Sequence, residues 1–341
     1  MKKLFLVIII GGILLFGGCK KLEQPMSAQT EIVLGTVCTV NLFEHGTQEL
    51  YAEIFNALHD VENLMSANST TSELVLVNNN AGISSVQISE ETYTVIEAAL
   101  KYAKMTNGAF NPAIGPLVKL WAIGTDSAAI PSGVEIERTS KLCNWQNVLL
   151  SQKKDGYFVF LEKEGMALDL GGVAKGFAAD KTVAILQGHA IPTAMIDLGG
   201  NIYACGEKLS DVPWRIGIKN PFDSTGEPIV ALSVHDASVV TSGVYERFFE
   251  QDGVRYHHLI NTATGRPQDN ELMSVTIVAK SSMQADILST AVFILGKEAG
   301  LKLLEQINIS GFCITRNKEI YATENSALKI EVFDKNFTLN L

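Results

Sequence analysis

The chain has 341 residues, of which 47 % are hydrophobic and 19 % charged, so it can build a large core and is not mainly disordered. Its length allows one large domain or about two ordinary ones. Lysine and arginine number 27 against 37 acidic residues, a formal charge of −10. That balance excludes a sequence-independent nucleic-acid binder, which needs a basic surface. The five cysteines are scattered without a Cys-x-x-Cys pair, which argues against a zinc cage or a dense disulfide scaffold.

The first 18 residues are predicted to be a lipoprotein signal peptide. Lys2 and Lys3 precede an uncharged run over 4–18, and a helix of that run would reach roughly 22 Å, short of a ~30 Å hydrocarbon core. The run ends in Leu-Phe-Gly-Gly before Cys19, which resembles the lipidated cysteine of bacterial lipoproteins. The alternative is an ordinary signal peptide with an incidental cysteine. Residues 19–29 are predicted to tether a domain at 30–341 to a membrane, on the extracytoplasmic side of the cell envelope.

Hydrophobic spacing predicts a chain in which strands outnumber helices. Residues 31–43 are rich in Val and Thr and predict a strand, and the apolar spacing over 50–65 predicts an amphipathic helix. The polar stretch 66–80 is predicted to be a loop, and Ser89 to be the N-cap of a second helix. Further strands are predicted at 147–150, 156–161, 166–170, 193–198, 214–219, 228–235, 239–244, 246–250, 254–260, 272–280, 312–315, 319–323 and 328–333, and helices at 283–296 and 297–307. Several strands are joined as hairpins, so the predicted fold is α+β with mixed or antiparallel sheets.

The first candidate site is the sequence Leu-Asp-Leu-Gly-Gly-Val-Ala-Lys-Gly at 168–176, predicted as a strand, a glycine turn and a helix. Two glycines allow close backbone approach, and a helix start presents unpaired N–H groups and a positive dipole end. Lys175 adds a positive charge, so the segment suits a phosphate or pyrophosphate. The alternative is a tight turn before a packed helix. A similar Ile-Asp-Leu-Gly-Gly at 196–200 is either a duplicated strand–turn unit or chance.

The second candidate site is the start of the helix predicted at 283–296. Asp286 and Thr290 are four residues apart and therefore lie on one helix face. Their carboxylate and hydroxyl are hard oxygen ligands that suit Mg²⁺. The alternative is structural, because an acid in a first turn favours the helix dipole and a Thr can bond the carbonyl four residues back.

Two adjacent histidines, His257 and His258, lie toward the end of the hairpin strand predicted at 254–260. A histidine titrates near neutrality and can serve as a general base or a metal ligand. Neighbours on a strand point to opposite faces, so at most one of the two is expected to be functional.

These motifs, together with Gly-Ala-Phe-Asn-Pro at 108–112 and Thr264-Gly265, resemble in their order the ApbE family of FAD:protein FMN transferases. The resemblance covers the chain from about residue 30 to the C-terminus. It implies an α+β fold with a T-fold-like core. It also implies Mg²⁺-dependent cleavage of FAD, in which FMN passes to a threonine hydroxyl of an acceptor flavoprotein and AMP leaves.

The resemblance also implies roles for individual residues. Asp286 and Thr290 would bind Mg²⁺ with the backbone carbonyl of Gly172, and His258 would activate the attacking hydroxyl with Lys175 as a second catalytic residue. The positions implied to contact FAD are Leu34, Asn68, Ala109, Phe110, Asn111, Asp169, Lys175 and Ile260.

Three residues depart from the family pattern. Asn68 stands where many members have an aromatic residue, whose stacking on the flavin or adenine can be worth ~0.5–1.5 kcal/mol. Its absence predicts weaker FAD retention and hydrolysis of FAD to FMN and AMP, as in some spirochaete-like members. Asn111 and Asn261 stand where Asp is common, so neither is expected to hold a second metal. The competing hypothesis is a non-catalytic flavin-binding or scavenging lipoprotein, against which the intact Asp286, Thr290 and Lys175 argue.

Overall fold

The computed structural model of the chain describes residues 26–208, 212–223, 225–324 and 328–340. The predicted signal peptide, Cys19 and most of the predicted tether lie outside these residues. The first strand begins at Gln29, the last residue of that tether. Within the described ranges, no helix has the length and apolar character needed to cross a bilayer.

Helices and strands alternate unevenly along the chain. The described α-helices are α1 (Gln48–Met65), α2 (Glu73–Asn79), α3 (Glu90–Met105), α4 (Gly115–Trp121), α5 (Gly133–Ser140), α6 (Ala174–Gly188), α7 (Ser282–Leu295) and α8 (Lys297–Gln306). The described strands are β1 (Gln29–Val33), β2 (Thr36–Leu42), β3 (Val86–Ile88), β4 (Val148–Lys153), β5 (Gly156–Leu161), β6 (Ala194–Leu198), β7 (Asn201–Cys205), β8 (Trp214–Lys219), β9 (Pro228–Val234), β10 (Ala237–Gly243), β11 (Phe248–Gln251), β12 (Val254–His257), β13 (Ile260–Asn261), β14 (Arg266–Pro267), β15 (Leu272–Ala279), β16 (Ser310–Thr315), β17 (Glu319–Ala322), β18 (Lys329–Val332) and β19 (Thr338–Asn340).

The largest sheet has nine strands in the order β1-β2-β6-β7-β10-β15-β16-β17-β19. Its neighbours are antiparallel except β17 and β19, which are parallel. Two three-stranded sheets, β18-β9-β8 and β3-β5-β4, and the hairpins β11–β12 and β13–β14 complete the strands. The predicted α+β fold with mixed, mainly antiparallel sheets is confirmed.

The nine-stranded sheet is covered on both faces. Helices α6 and α7 pack on one face against its central strands and against each other, and α1 packs on α6. On the other face lies the three-stranded sheet β18-β9-β8. Its residues Trp214 and Ile216 pack with Phe312 and Ile314 of β16. Since both faces are buried, β10 carries consecutive buried residues over 237–240 where an open sheet would alternate. The central strands are therefore the surface on which α6 and α7 pack.

The structure confirms the helix over 50–65 as α1 and the cap at Ser89, whose hydroxyl accepts from the backbone N–H of Thr92. The loop predicted at 66–80 is wrong, because α2 forms there with Ser72 as its N-cap. Only Leu74 and Val77 of α2 are buried, too few apolar residues to give a recognisable period.

Two strand predictions need correction. The segment 31–43 is a hairpin of β1 and β2, because the chain turns at Leu34 and Gly35, both with positive φ. The segment 166–170 is not a strand. At its centre the backbone bonds go to a side-chain amide, since Asn78 donates to the carbonyl of Leu168 at 3.0 Å and accepts from its N–H at 2.7 Å, while the N–H of Asp169 donates to the carbonyl of Pro112. Its alternating apolar residues are buried, but an asparagine takes the place of a neighbouring strand.

The four cysteines among the described residues are free and buried. Burial raises the pKa of Cys143 to about 11 and the pKa values of Cys38, Cys205 and Cys313 to about 12.

Candidate active site

The first turns of α6 and α7 contact each other without a side chain between them at Gly176. A Cβ placed on Gly176 would lie 2.5 Å from the Cα of Met283 and 2.5 Å from the carbonyl oxygen of Ser282. Only glycine permits this approach, which brings Lys175 on α6 beside Asp286 on α7. The two candidate sites of the sequence therefore form one site.

Asp286 lies at the contact between the two helices. Its carboxyl is buried, at 4 % exposure, and lies on the second turn of α7 rather than the first turn assumed in the structural alternative. Oδ2 accepts from the backbone N–H of Gly176 at 3.0 Å, and Oδ1 lies 3.5 Å from Nζ of Lys175. Lys175 Nζ also donates to the carbonyl of Gly171 at 3.1 Å. One carboxylate oxygen thus accepts from the backbone of α6, and the other faces the ammonium group of Lys175.

The glycine turn lies against the next turn of α7. A Cβ on Gly172 would be 3.5 Å from Oγ1 of Thr290 and 3.2 Å from the ring of Phe110. Within the described ranges, the Thr290 hydroxyl makes no hydrogen bond, and no group of three or more His, Cys, Asp or Glu residues is placed to hold a metal. The available donors are therefore one carboxylate, one hydroxyl and a nearby backbone carbonyl. Such a small set of hard oxygens fits Mg²⁺, which keeps several waters and binds phosphates.

His258 is half-buried, whereas its neighbour His257 is buried. Its Nδ1 lies 3.3 Å from the carbonyl oxygen of Arg247, which can only accept, so Nδ1 carries the proton and Nε2 the lone pair. Burial, followed by the positive charge of Arg247, lowers the pKa of His258 to about 3, and the charge of Lys175 contributes in the same direction. His258 is therefore neutral near pH 7 and lies within electrostatic reach of Lys175.

His257 points into the core, as expected for a neighbour on the same strand. Its Nε2 lies 3.0 Å from the carbonyl of Gln268, and its ring meets the edge of Phe293 on α7. Burial lowers the pKa of His257 to about 4. It supports the underside of α7 and does not face Lys175.

Three polar residues of the site shape its loops. Asp169 accepts from the N–H of Gly171 at 2.8 Å, which closes the glycine turn. Asn111 accepts from the N–H of Ala113 and donates to the carbonyl of Cys143, both at 2.9 Å. Asn261 accepts from the N–H of Ala263 at 2.9 Å and donates to Gln268 at 2.7 Å. Asn111 and Asn261 thus have turn-forming roles that need no metal.

The remaining positions implied to contact FAD differ in their surroundings. Phe110 and Ile260 are buried, whereas Ala109 is half-buried. Leu34 lies at the tip of the β1–β2 hairpin with a φ of +58°. Asn68 is exposed in the turn between α1 and α2, and its N–H donates to Ser66. The structure joins Phe110 to the glycine turn, but it gives Asn68 no contact with Lys175 or Asp286.

Sequence reasoning missed Asp180, which lies on α6 and bonds the start of α7. Its carboxylate accepts from the hydroxyl of Ser281 at 2.8 Å and from the N–H groups of Ser282 at 2.6 Å and Met283 at 3.1 Å. The sequence does contain one signal for Asp180: it lies four residues after Gly176, so the two residues share one face of α6.

These features define an α+β protein in which two helices, packed on a nine-stranded sheet, hold one carboxylate, one hydroxyl and one ammonium at a glycine turn. This set of groups suits a substrate with phosphate groups and a hard cation. The ApbE family model matches residues 34–313. The chain belongs to the ApbE family.

Similar proteins extend over nearly the whole chain. The FAD:protein FMN transferase of Treponema pallidum (strain Nichols) is 39 % identical over 350 residues, covering 98 % of this chain and 96 % of the relative. That of Klebsiella pneumoniae (strain 342) is 36 % identical, covering 92 % and 97 %. The resemblance to the family is confirmed, and one of its similar members comes from a spirochaete.

Solved structures share the fold. The ApbE protein of Thermotoga maritima matches with a TM-score of 0.76 at 30 % identity, covering 89 % of this chain and 96 % of that one. The flavin transferase ApbE of Vibrio cholerae matches with a TM-score of 0.77 at 28 % identity, covering 91 % and 97 %. The arrangement of sheets and helices is therefore that of known flavin transferases.

Proposed function

We propose that this protein is a Mg²⁺-dependent FAD:protein FMN transferase that also hydrolyses FAD. The name carried by relatives over nearly full length supports the transfer of FMN from FAD. The observation that carries the proposal is the contact of the α6 and α7 starts, which places Lys175 and Asp286 3.5 Å apart beside a glycine turn. A protein that only stored flavin would not need this charged arrangement.

The oxygen donors support a role for Mg²⁺. Asp286 Oδ1, the Thr290 hydroxyl and the carbonyl of Gly172 would hold the ion, and Gly176 would keep the other carboxylate oxygen in place. When bound, Mg²⁺ neutralises charge on the pyrophosphate and so makes AMP a better leaving group. Lys175 would then turn from Asp286 toward a phosphate oxygen.

The chemistry of transfer is an in-line displacement at phosphorus. The hydroxyl oxygen of an acceptor threonine forms a bond to the phosphorus of the FMN half, and the P–O bond to AMP breaks with its electron pair on AMP. Nε2 of His258 carries the lone pair, because the carbonyl of Arg247 fixes the proton on Nδ1. It would receive the threonine proton when the negative phosphates of bound FAD offset the positive charges of Arg247 and Lys175 that, after burial, lower its pKa in the free protein. Lys175 stabilises the charge on the phosphate oxygens.

Hydrolysis uses the same steps with water in place of the threonine and gives FMN and AMP. The proposal of hydrolysis rests on Asn68, which is exposed and stands where many family members have an aromatic ring that would cover the flavin or adenine. Without that cover, water reaches the phosphorus more easily and FAD leaves sooner.

The direct test incubates the purified protein with FAD and MgCl₂, with and without an acceptor flavoprotein domain. We expect AMP without the acceptor, and a flavin-fluorescent acceptor band on a denaturing gel when it is present. If the acceptor band becomes fluorescent but no AMP forms without the acceptor, the proposed transfer stands and the proposed hydrolysis is refuted. If FAD co-purifies and neither product forms, the protein is a flavin-binding or scavenging protein.

Asn68→Tyr tests the argument from the missing ring. Stacking worth ~0.5–1.5 kcal/mol should tighten FAD retention by roughly 2-fold to 10-fold and slow hydrolysis, measured as FAD Kd and AMP release. Ala67→Tyr, at the neighbouring exposed position, is the matched control and should change neither. Equal Kd and rate for Asn68→Tyr and the parent would contradict the role of this position.

We further propose that the protein is lipid-anchored at Cys19 and faces the extracytoplasmic side of the envelope, where acceptor flavoproteins would meet it. The basic start, the short apolar run and the small residues before Cys19 support this. Incorporation of labelled palmitate into the full chain checks it, and a chain recovered unlabelled in the soluble fraction would refute it.

A further inference from the structure

We propose that Asp180, in the second turn of α6, is a positioning residue that fixes the location of Asp286 by holding the start of α7. This inference rests on the proposed function, since Asp286 is the proposed carboxylate ligand of Mg²⁺. Asp180 makes no hydrogen bond to Asp286 and meets it only through the repulsion of their charges, so its positioning action is through the backbone of α7.

The start of α7 is held by a carboxylate from another helix. The N–H groups of Ser282 and Met283 belong to the first turn, where a helix offers no carbonyl partner of its own. Both donate to Asp180, at 2.6 Å and 3.1 Å, and the hydroxyl of Ser281 donates to it at 2.8 Å. Three contacts with one side chain fix both the position and the direction of α7 at its first turn.

The start of α6 is held in the same way by a carboxylate from α7. Val173, the N-cap of α6, makes no side-chain cap hydrogen bond. Instead, the N–H of Gly176 in that first turn donates to Asp286 at 3.0 Å. Each helix therefore supplies the acid that caps the other, and Gly176 leaves no space for the two starts to slide.

This exchange of caps links Asp180 to the chemistry. If Asp180 releases the first turn of α7, the second turn, which carries Asp286, loses its fixed distance to Gly176 and Lys175. The sheet still holds α7 from below, because Ser282 Oγ donates to Asn201 at 2.6 Å. The loss of Asp180 should therefore shift α7 against α6 without detaching it from the sheet.

The test compares Asp180→Asn with a matched control, Glu73→Gln. Glu73 on α2 also caps another helix, since it accepts from the N–H of Ser89 at 3.1 Å and from its hydroxyl at 2.8 Å. That cap lies at the start of α3, and the helix is about 24 Å long. The capped end is therefore far from the other end of α3, which leads to Ala109 at the candidate site. Both variants should lose thermal stability, so stability alone does not distinguish them.

The distinguishing measurement is amide hydrogen exchange in peptides covering the start of α6, without metal or FAD. Asp180→Asn should speed exchange at Gly176, whose acceptor is on α7, whereas Glu73→Gln should not. A second measurement is the Mg²⁺ concentration that half-saturates AMP release, which should rise about 10-fold to 100-fold in Asp180→Asn only.

Unchanged exchange at Gly176 in Asp180→Asn would overturn the inference, as would equal effects of the two variants. If the parent protein shows no Mg²⁺ dependence, the proposed function fails, and the exchange measurement still decides whether Asp180 couples the helices. If Asp180→Asn does not fold, Ser281→Ala carries the test. It removes the 2.8 Å hydroxyl contact with Asp180 together with the N-cap bond from the N–H of Gln284, and it should produce a smaller rise in exchange at Gly176. Ser89→Ala, which loses the matching contacts with Glu73 and Thr92 at the start of α3, is its control and should produce none.

Discussion

Two turns of nearly identical sequence have different structures in this protein. Leu-Asp-Leu-Gly-Gly at 168–172 leads into α6, whereas Ile-Asp-Leu-Gly-Gly at 196–200 closes the β6–β7 hairpin. In both, the aspartate accepts a backbone N–H at 2.8 Å, from Gly171 in the first turn and from Gly200 in the second. The shared sequence is therefore not a duplicated structural unit.

The residues that follow each turn account for the difference. Val173 and Ala174 donate their N–H groups back to the carbonyl of Leu170, which begins a helix. In the second turn, Gly199 and Gly200 take φ values of +64° and +91°, and the chain returns antiparallel. Positive φ at two successive residues suits a two-residue hairpin turn. The first turn continues into α6, whose start contacts α7, whereas the second continues into strand β7.

The largest expected effect comes from removing the α7 carboxylate that lies beside the first turn. Asp286→Ala should lower Mg²⁺-dependent AMP release by at least about 100-fold, because it removes the charged ligand. It also leaves the N–H of Gly176 without an acceptor, a loss of about 1–3 kcal/mol in the free energy of unfolding. Asp197→Ala at the second turn is the control and should retain turnover. A parental rate in Asp286→Ala would refute the metal assignment.

A pair of glycine substitutions should separate activity from stability. Gly172→Ala places a methyl 3.2 Å from Phe110 and 3.5 Å from Thr290 Oγ1, and should slow AMP release on the order of 10-fold with little loss of stability. Gly199→Ala must hold a φ of +64° and meets Thr36, so it should lose about 1–3 kcal/mol of unfolding free energy while retaining its rate. Chemical denaturation and initial rates measure the two effects. The reverse pattern would show that the turns do not differ in function.

The smallest expected effect concerns the two aspartates. Asparagine keeps the oxygen that accepts the turn N–H, so Asp169→Asn and Asp197→Asn should each change the free energy of unfolding by less than about 0.5 kcal/mol. Loss of charge beside the substrate should change the FAD KM several-fold for Asp169→Asn alone, as measured by steady-state AMP release. A matching change in KM for Asp197→Asn would remove the distinction.

Local patterns in the sequence predicted the long elements and the groups of the site. The 18-residue α1 has enough turns to show its buried face, and Ser89 and the Asp286–Thr290 spacing are readable because they act within one helix. Helix α2, with two buried apolar residues, has no such period. The prediction of a strand at 166–170 was wrong because the backbone of Leu168 bonds the side chain of Asn78. That residue is 90 positions away, so no local pattern indicates the contact.

The coupling of the two candidate sites was also beyond the sequence. The contact between Gly176 and Asp286 spans 110 residues and depends on a space too small for a methyl group. Asp180 bonds residues of α7 that lie more than 100 positions later in the sequence, and it is not part of either candidate site identified from the sequence. Long-range backbone contacts of this kind leave no periodic trace along the chain.

The buried cysteines have a practical consequence for studying the reaction. With pKa values of about 11 to 12, Cys38, Cys143, Cys205 and Cys313 hold almost no thiolate near pH 8, where maleimide reagents react. A cysteine introduced on the surface of the described domain would therefore take up a fluorophore far faster than these four. Within the described residues, the native background is suited to single-site labelling, and the approach of an acceptor protein could be followed by energy transfer without first removing these four thiols.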